Sequence, residues 1–273
     1  MHPKNMNYLK KIKNERLFIA FSALGFILIA FILITLGNLV VTQFMTDFGG
    51  FLKTLRDDSV WRSIGLTLYT SFLATIIAFF FGVPLAYVLA RKDFPGKGLI
   101  ESIIDVPVIV PHTVAGIALL TVFGRHGLIG STTSMSFVDA IPGIVVAMLF
   151  VSLPFLINSA REGFESVDPK LENIARTLGA SRWGAFYRVS LPLASRNLFV
   201  GSIMGWARGI SEFGAVVIIA YYPMITPTLI YERFLSMGLK SSRPVAVLLI
   251  LVCLTIFISL RMISRNWRRY DRD

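Results

Sequence analysis

Six long apolar segments alternate with polar segments along the chain, and each is long enough to cross a bilayer as a helix at ~20 residues per crossing. We predict membrane spans at about residues 17–45, 63–90, 100–123, 142–158, 197–220 and 244–262. The pattern therefore predicts an all-α membrane protein in which residues 1–273 form one transmembrane domain. The polar segments 46–62, 124–141 and 221–243 are expected on one side of the membrane, and 91–98 and 161–196 on the other.

The third apolar segment contains residues that an uninterrupted membrane helix disfavours. Two prolines, a carboxylate and an imidazole occur within eight positions, namely Asp105, Pro107, Pro111 and His112. We expect the first half of this span to be kinked or partly unwound, and irregular backbone is tolerated at membrane depth only against protein or a water-filled cavity. These residues are therefore candidates for the wall of a pathway. The alternative is a plain proline kink with the two polar side chains at the membrane surface.

The fifth segment carries an acid and a base near its middle. Arg208 and Glu212 are four residues apart, so they share one helix face and can pair along it. Charges at this depth cost several kcal/mol unless they are paired or hydrated, and they are candidate functional groups. The pair either braces the helix or meets a passing substrate. Glycines recur every four residues in the same segment, at Gly201, Gly205 and Gly209, which predicts close approach of another helix.

The polar segment between the fourth and fifth spans, residues 161–192, predicts a short amphipathic helix. Asp168 followed by Pro169 is typical of a helix start, and Gly179 is typical of the residue just past a helix end. Apolar side chains recur between these limits at the i, i+3, i+4 and i+7 spacing of one face, at Leu171, Ile174, Ala175 and Leu178. An apolar stripe on a polar loop indicates a helix that docks into a groove.

Composition and charge support a membrane protein. Hydrophobic residues make up 55% of the chain and charged residues 16%. The net charge of +11 would suggest nucleic-acid binding in a soluble protein, but 19 of the 27 Lys and Arg residues fall in segments predicted to be cytoplasmic and 7 in those predicted to lie outside. The basic residues therefore indicate a multi-pass protein of the plasma membrane with both termini in the cytoplasm, a lipid bilayer around it and no nucleic-acid partner.

The spacing after Gly179 matches a known motif. Nine residues follow it, and then Val189, Ser190, Leu191 and Pro192. This resembles the cytoplasmic coupling loop of ABC importer permeases: Glu-Ala-Ala, three residues, Gly, nine residues, Ile, one residue, Leu-Pro. The first half departs from that pattern, because Asn173 and Ile174 stand at the Glu and first Ala positions, Ala175 keeps the second Ala, and Glu172 lies one position too early.

Two membrane segments strengthen this resemblance. Residues 206–215 are similar to the fifth span, and residues 105–116 to the third span, of permeases in the molybdate, tungstate and sulfate branch. The resemblance implies a type I ABC importer permease fold, a second copy of this chain, two ABC ATPase subunits and an extracytoplasmic oxyanion-binding protein. It also implies ATPase coupling through the loop residues Leu171, Glu172, Asn173, Ile174, Ala175, Leu178, Gly179 and Pro192. The pathway candidates remain Asp105, Pro107, Pro111, His112, Arg208 and Glu212.

Several chemical motifs are missing from the sequence. It has no phosphate-binding loop and no His-Glu-x-x-His motif, and its lone cysteine, Cys253, lies in an apolar run. This absence predicts a transport subunit with no catalytic residue, metal or cofactor of its own. The resemblance implies that it imports molybdate or tungstate by alternating access while a partner hydrolyses ATP. A sulfate or thiosulfate permease remains the nearest alternative. A proton-coupled carrier using Asp105, His112 and Glu212, and a membrane-embedded enzyme, are more distant ones.

Overall fold

The computed structural model describes the backbone of residues 3–270 and the side chains of residues 16–260 and 262. The basic side chains nearest both termini, which contribute to the predicted topology, lie outside the described residues. Every regular element in the described backbone is helical. In chain order the helices are α1 (Pro3–Thr46), α2 (Phe48–Leu55), α3 (Asp58–Arg91), α4 (Lys97–Ile109), α5 (His112–Phe123), α6 (Ile141–Glu165), α7 (Pro169–Thr177), α8 (Arg182–Ala185), α9 (Leu191–Ile210), α10 (Gly214–Ile219), α11 (Thr226–Met237) and α12 (Leu239–Tyr270).

Four of these helices, α1, α3, α6 and α12, are long and apolar enough within their described residues to cross a membrane. A fifth candidate span is the pair α4 and α5, which bend by 114° at a short break. The helix continues through Pro107 and ends at Ile109, and Pro111 lies directly before α5. The interruption predicted for the third span is therefore confirmed, but it lies after Pro107.

The predicted fifth span, residues 197–220, is not one continuous helix. Helix α9 ends at Ile210, and α10 begins at Gly214. The backbone N–H of Ala215, in the first turn of α10, donates 2.8 Å to a carboxylate oxygen of Glu212, so this side chain satisfies a group that a continuous helix would have satisfied internally. The break lies at the charged residues that the sequence places near mid-membrane.

The polar segment 46–62, which the sequence predicts to lie outside the membrane, is largely helical. It contains α2 and the beginning of α3. Asp47 caps α2 by accepting a 2.9 Å hydrogen bond from the N–H of Gly50, and Phe51 is buried with its ring 4.9 Å from that of Phe44. A cap and one apolar anchor are enough to form this short amphipathic helix. The segment 221–243 likewise contains α11.

The chain divides into two compact units, one comprising residues up to 57 with those from 236 on, and the other residues 58–235. In the first unit, Arg243 of α12 donates to the side chains of Gln43 and Thr46 of α1, each at 3.0 Å. In the second unit, α3, α5, α6 and α10 enclose an apolar core around Met148, and α3, α6 and α9 enclose another around Phe164.

The glycine row on α9 lies where helices pack closely. A Cβ atom added to Gly201 would lie 2.8 Å from the Cβ of Ser159 on α6, and one added to Gly209 would lie 3.1 Å from the Cβ of Ser71 on α3. Both distances are shorter than an ordinary carbon contact. The predicted close approach of other helices at this row is therefore confirmed.

Candidate functional site

Helix α7 begins and ends where its sequence predicts. The carboxylate of Asp168 accepts a 2.9 Å hydrogen bond from the N–H of Lys170, and Pro169 occupies the first turn. At the other end, Gly179 has a φ of +93°, in the left-handed region that disfavours side chains. Its N–H donates to the carbonyl of Arg176, and the N–H of the next residue, Ala180, donates to an earlier carbonyl. These two bonds form the glycine-dependent helix end that the spacing predicts.

The apolar stripe of α7 faces outward. Leu171, Ile174 and Leu178 are all exposed, and Leu178 reaches 84%. Asn173 is also exposed, whereas Ala175 is half-buried. No residue of α7 is buried. Three large aliphatic side chains on one face of a short polar helix form a surface that a partner protein can cover, because burying exposed apolar area makes association more favourable.

Glu172 points inward from the same helix, and its side chain is only 13% exposed. One carboxylate oxygen accepts a 2.7 Å bond from Nε of Arg91 and another, also 2.7 Å, from Oγ of Ser190, while Oη of Tyr87 donates to the other oxygen at 2.9 Å. Burial alone would raise the pKa of Glu172. The hydrogen bonds from Ser190, Arg91 and Tyr87, together with the positive charge of Arg91, outweigh burial and lower this pKa below its ordinary value.

Sequence reasoning missed the three groups that bind Glu172. Ser190 lies inside the coupling motif, and Arg91 is the first basic residue after the second predicted span, but neither signal points to Glu172. The residues are separated along the chain by 18 positions for Ser190 and 81 for Arg91. Only the packing of α3 against the loop brings them together.

A π turn connects the loop to α9. Residues Phe186–Ser190 form this turn, in which the N–H of Leu191 donates to the carbonyl of Phe186, five residues earlier. Pro192, within the first turn of α9, has no N–H to donate to the carbonyl of Arg188, which favours a departure from α geometry here. The turn leaves Ser190 completely buried.

A second polar cluster lies where two helix breaks meet. Nη2 of Arg208 is 2.9 Å from Oε2 of Glu212 and 2.7 Å from Nε2 of His112, the first residue of α5. The carboxylate of Glu212 is 1% exposed, and it also caps α10 through Ala215. The ion pair predicted from the sequence is therefore present, and His112 joins it from another helix.

Asp105 lies apart from this cluster. It accepts a 2.7 Å hydrogen bond from Nδ2 of Asn158 and so ties α4 to α6. A cleft of about 440 Å³ opens nearby between α4, α6 and α9, lined among others by Val108, Asn158, Ser159 and Arg196. Arg196 is exposed, and sequence reasoning did not single it out. Among the described residues, no group of three His, Cys, Asp or Glu side chains is arranged to hold a metal ion.

Residues 80–269 match the family model for the binding-protein-dependent transport system inner membrane component. The chain belongs to this family. The permease is therefore a multi-pass transport subunit, and the family designation implies a binding protein and an ATPase as partners.

Related sequences align over nearly the whole permease. It is 49% identical over 241 residues to the molybdate/tungstate transport system permease protein WtpB of Thermococcus kodakarensis, covering 88% of this chain and 93% of that one. Identity to the Pyrococcus furiosus protein of the same name is 46% over 256 residues, or 94% and 98% of the two chains. A bacterial ABC transporter that imports alginate has the same fold at 19% identity, with a TM-score of 0.74 and coverage of 95% and 99%.

Proposed function

We propose that this permease imports molybdate and tungstate as the membrane subunit of an ABC transporter. The observation that carries this proposal is the 46–49% identity to two molybdate/tungstate permeases over 88–94% of the chain. The outward apolar face of α7 supports it, because a transporter without its own ATPase motif needs a surface on which an ATPase subunit can dock.

The proposed complex contains two copies of the permease, two ATPase subunits and an extracytoplasmic oxyanion-binding protein. One coupling helix per chain and an ATPase that works as a pair together favour two-fold symmetry. Each permease crosses the membrane six times, with α9 and α10 together as the fifth crossing, and has both termini in the cytoplasm. Residues 1–273 act as one transport domain, from which the loop 161–192 projects.

Coupling works through α7 in this proposal. Leu171, Ile174 and Leu178 enter a groove of the ATPase, while Asn173 and Ala175 lie beside them. When ATP draws the two ATPase subunits together, it displaces both α7 helices, and the membrane helices respond by changing the side on which the pathway opens. Gly179 and Pro192 fix the direction in which α7 leaves the membrane helices.

The pathway lies along the interrupted helices in this proposal. His112, which follows Pro111 at the start of α5, contacts the Arg208–Glu212 pair, and Asp105 and Pro107 precede the break on α4. Irregular backbone at membrane depth needs protein or water beside it, which favours a pathway at these breaks. A weakly polar route also suits a dianion that must be released after each cycle.

Reconstitution tests this function. Vesicles containing the permease and its ATPase, loaded with ATP and supplied with the binding protein outside, should accumulate molybdate and tungstate but little sulfate. Calorimetry of the binding protein with each oxyanion measures the selectivity directly. A clear preference for sulfate would assign the permease to that substrate instead, and uptake that continues after removal of the ATPase would indicate a proton-coupled carrier.

Thiol labelling tests the topology. In a Cys253→Ser background, Thr177→Cys should react with a membrane-impermeant reagent only from the cytoplasm, and Ser134→Cys only from outside. Both positions are exposed. Labelling of both from the same side would overturn the six-span arrangement without affecting the substrate assignment.

A further inference from the structure

We infer that Glu172 is a positioning residue that joins the coupling helix to two membrane helices, and that it transmits the displacement of α7 to them without contacting the ATPase. This inference rests on the proposed transport function and names the internal connection on which coupling depends. The opposite expectation, that Glu172 faces the partner, follows from its place among the loop residues that the resemblance implies couple to the ATPase.

The guanidinium of Arg91 is the centre of this connection. Its Nε donates to Glu172 of α7, its Nη1 donates 2.7 Å to the carbonyl of Phe164, and its Nη2 donates 3.0 Å to the carbonyl of Val167. Phe164 lies in the last turn of α6, and Val167 follows the end of that helix. Arg91 is itself the last residue of α3. One planar group therefore binds the ends of α3, α6 and the coupling helix.

The carboxylate is the main attachment of α7 to these helices. No residue of α7 is buried, so apolar packing alone holds the helix weakly. Glu172 adds three hydrogen bonds, of which the one from Arg91 is strengthened by two opposite charges. Because its pKa is lowered, this carboxylate stays ionised at neutral pH.

The attachment and the docking surface occupy different faces of α7. Glu172 is the residue after Leu171, which turns it by about 100° around the helix axis. Leu178 lies nearly in line with Leu171 and is 84% exposed, whereas the Glu172 side chain is 13% exposed. A partner that covers the aliphatic face therefore leaves the Glu172 bonds in place, and a displacement of α7 acts on α3 and α6 through them.

The test separates docking from transmission. The complex is reconstituted with Glu172→Gln or Arg91→Lys, and three quantities are measured: ATPase bound per permease, ATP hydrolysed, and molybdate taken up per ATP. We expect normal ATPase binding and uptake per ATP lowered by about tenfold or more, the effect of losing one hydrogen bond to a charged group. Lysine keeps the charge of Arg91, but its single nitrogen cannot replace three guanidinium nitrogens that donate to acceptors on different sides of a planar group. Glu165→Gln, which removes a half-exposed carboxylate at the end of α6, is the matched control and should behave as wild type.

Leu178→Asp provides the reference for lost docking. If Glu172→Gln abolishes ATPase binding as completely as Leu178→Asp does, Glu172 is a docking contact and the inference is wrong. Unchanged uptake per ATP in both Glu172→Gln and Arg91→Lys would also overturn it. Failure of the wild-type complex to take up molybdate would instead count against the proposed function.

A milder variant covers the case in which Glu172→Gln does not fold. Tyr87→Phe removes one donor to the carboxylate and keeps the ring, which packs against Phe164 and Phe186. It should bind the ATPase normally and show a smaller loss of uptake per ATP. A ratio of molybdate uptake to ATP hydrolysis equal to that of wild type in this variant would contradict the inference.

Discussion

Two arginine–glutamate pairs in this permease have the same chemistry but differ in how far apart their residues lie along the chain. Glu212 pairs with Arg208, one helical turn earlier, at 2.9 Å. Glu172 pairs with Arg91, 81 positions earlier, at 2.7 Å. Each carboxylate is largely shielded from solvent, and each accepts further hydrogen bonds, from a backbone N–H in one case and from two hydroxyls in the other.

The difference between the pairs lies in what each one holds. The Arg208–Glu212 pair fixes the shape of one interrupted segment, since Arg208, Glu212 and the capped helix α10 all lie within residues 208–219, and His112 of α5 contacts it there. The Arg91–Glu172 pair fixes the relation between elements that the chain does not place together. Replacing both residues of the local pair should therefore cost little stability. Replacing both residues of the long-range pair would also remove a connection between helices.

The largest effect is expected from removing one member of the local pair. Glu212→Leu leaves the Arg208 charge unpaired and the Ala215 N–H without its acceptor, at a cost of about 3–5 kcal/mol. The double variant Arg208→Met with Glu212→Gln should recover most of this stability, because Gln keeps an acceptor for Ala215. Thermal unfolding of the purified permease measures both.

Uptake by the same double variant decides the role of Arg208. If the pair only braces the segment, molybdate uptake per folded complex returns together with stability. A double variant that regains stability but not uptake would indicate that Arg208 contacts the transported dianion. The two pairs would then differ in function as well as in their separation along the chain.

The next effect concerns the geometry of the arginines. Arg91→Lys should destabilise the permease by about 1.5–3 kcal/mol, because it loses at least one hydrogen bond from a charged donor to the carbonyls of Phe164 and Val167. Arg208→Lys should cost less, since Nη2 makes both the His112 and Glu212 contacts and an ammonium can replace one nitrogen. Chemical denaturation in detergent compares the two. Equal losses of stability in the two variants would contradict the expectation that Arg91 depends more on its guanidinium group than Arg208 does.

A smaller effect is expected at the end of α7. Gly179→Ala places a side chain at a φ of +93°, which costs about 1 kcal/mol and should weaken ATPase binding about fivefold. Nothing lies within 4 Å of the added Cβ, so the cost is conformational. Gly98→Ala, inside α4 and also in open space, is the control and should not weaken binding. An equal loss of ATPase binding in both variants would show that the left-handed conformation of Gly179 is not the cause.

The smallest effect is a pH dependence of the long-range pair. Because the pKa of Glu172 is lowered in the folded state, its contribution to stability is fully present above the ordinary value of 4.5 and is lost as pH falls through the lowered pKa. The difference in melting temperature between wild type and Glu172→Gln should be constant from about pH 5.5 to 7.5 and shrink in stronger acid. A difference that changes near neutral pH would indicate another titrating group.

The features that could be predicted from the sequence depend on local spacing. The limits of α7 followed from Asp168 and Gly179, and the Arg208–Glu212 pair from its four-residue separation. The close packing at the glycine row followed in the same way. Each of these depends on the geometry of a single helix, which sequence periodicity reports directly.

The features that could not be predicted depend on how helices pack. Proline marked an interruption in the third span, but its 114° angle is set by the neighbours of α4 and α5. The break before Gly214 depends on the Glu212 cap, and the contact between Arg91 and Glu172 joins segments with no common periodicity. Helix α2 was missed because its polar surroundings resemble a loop, although Asp47 is a recognisable cap.

The π turn at Phe186–Ser190 has a consequence for insertions and deletions. A helix that contains such a turn holds one residue more than α geometry would use over the same length. Deleting one residue there would convert the turn to α geometry over the same length and leave the orientation of the loop around the α9 axis nearly unchanged, whereas deleting one residue from α9 itself would rotate the chain on its cytoplasmic side by about 100°. The π turn thus absorbs a single surplus residue, and the coupling loop should tolerate a one-residue deletion here better than one in the neighbouring α-helix.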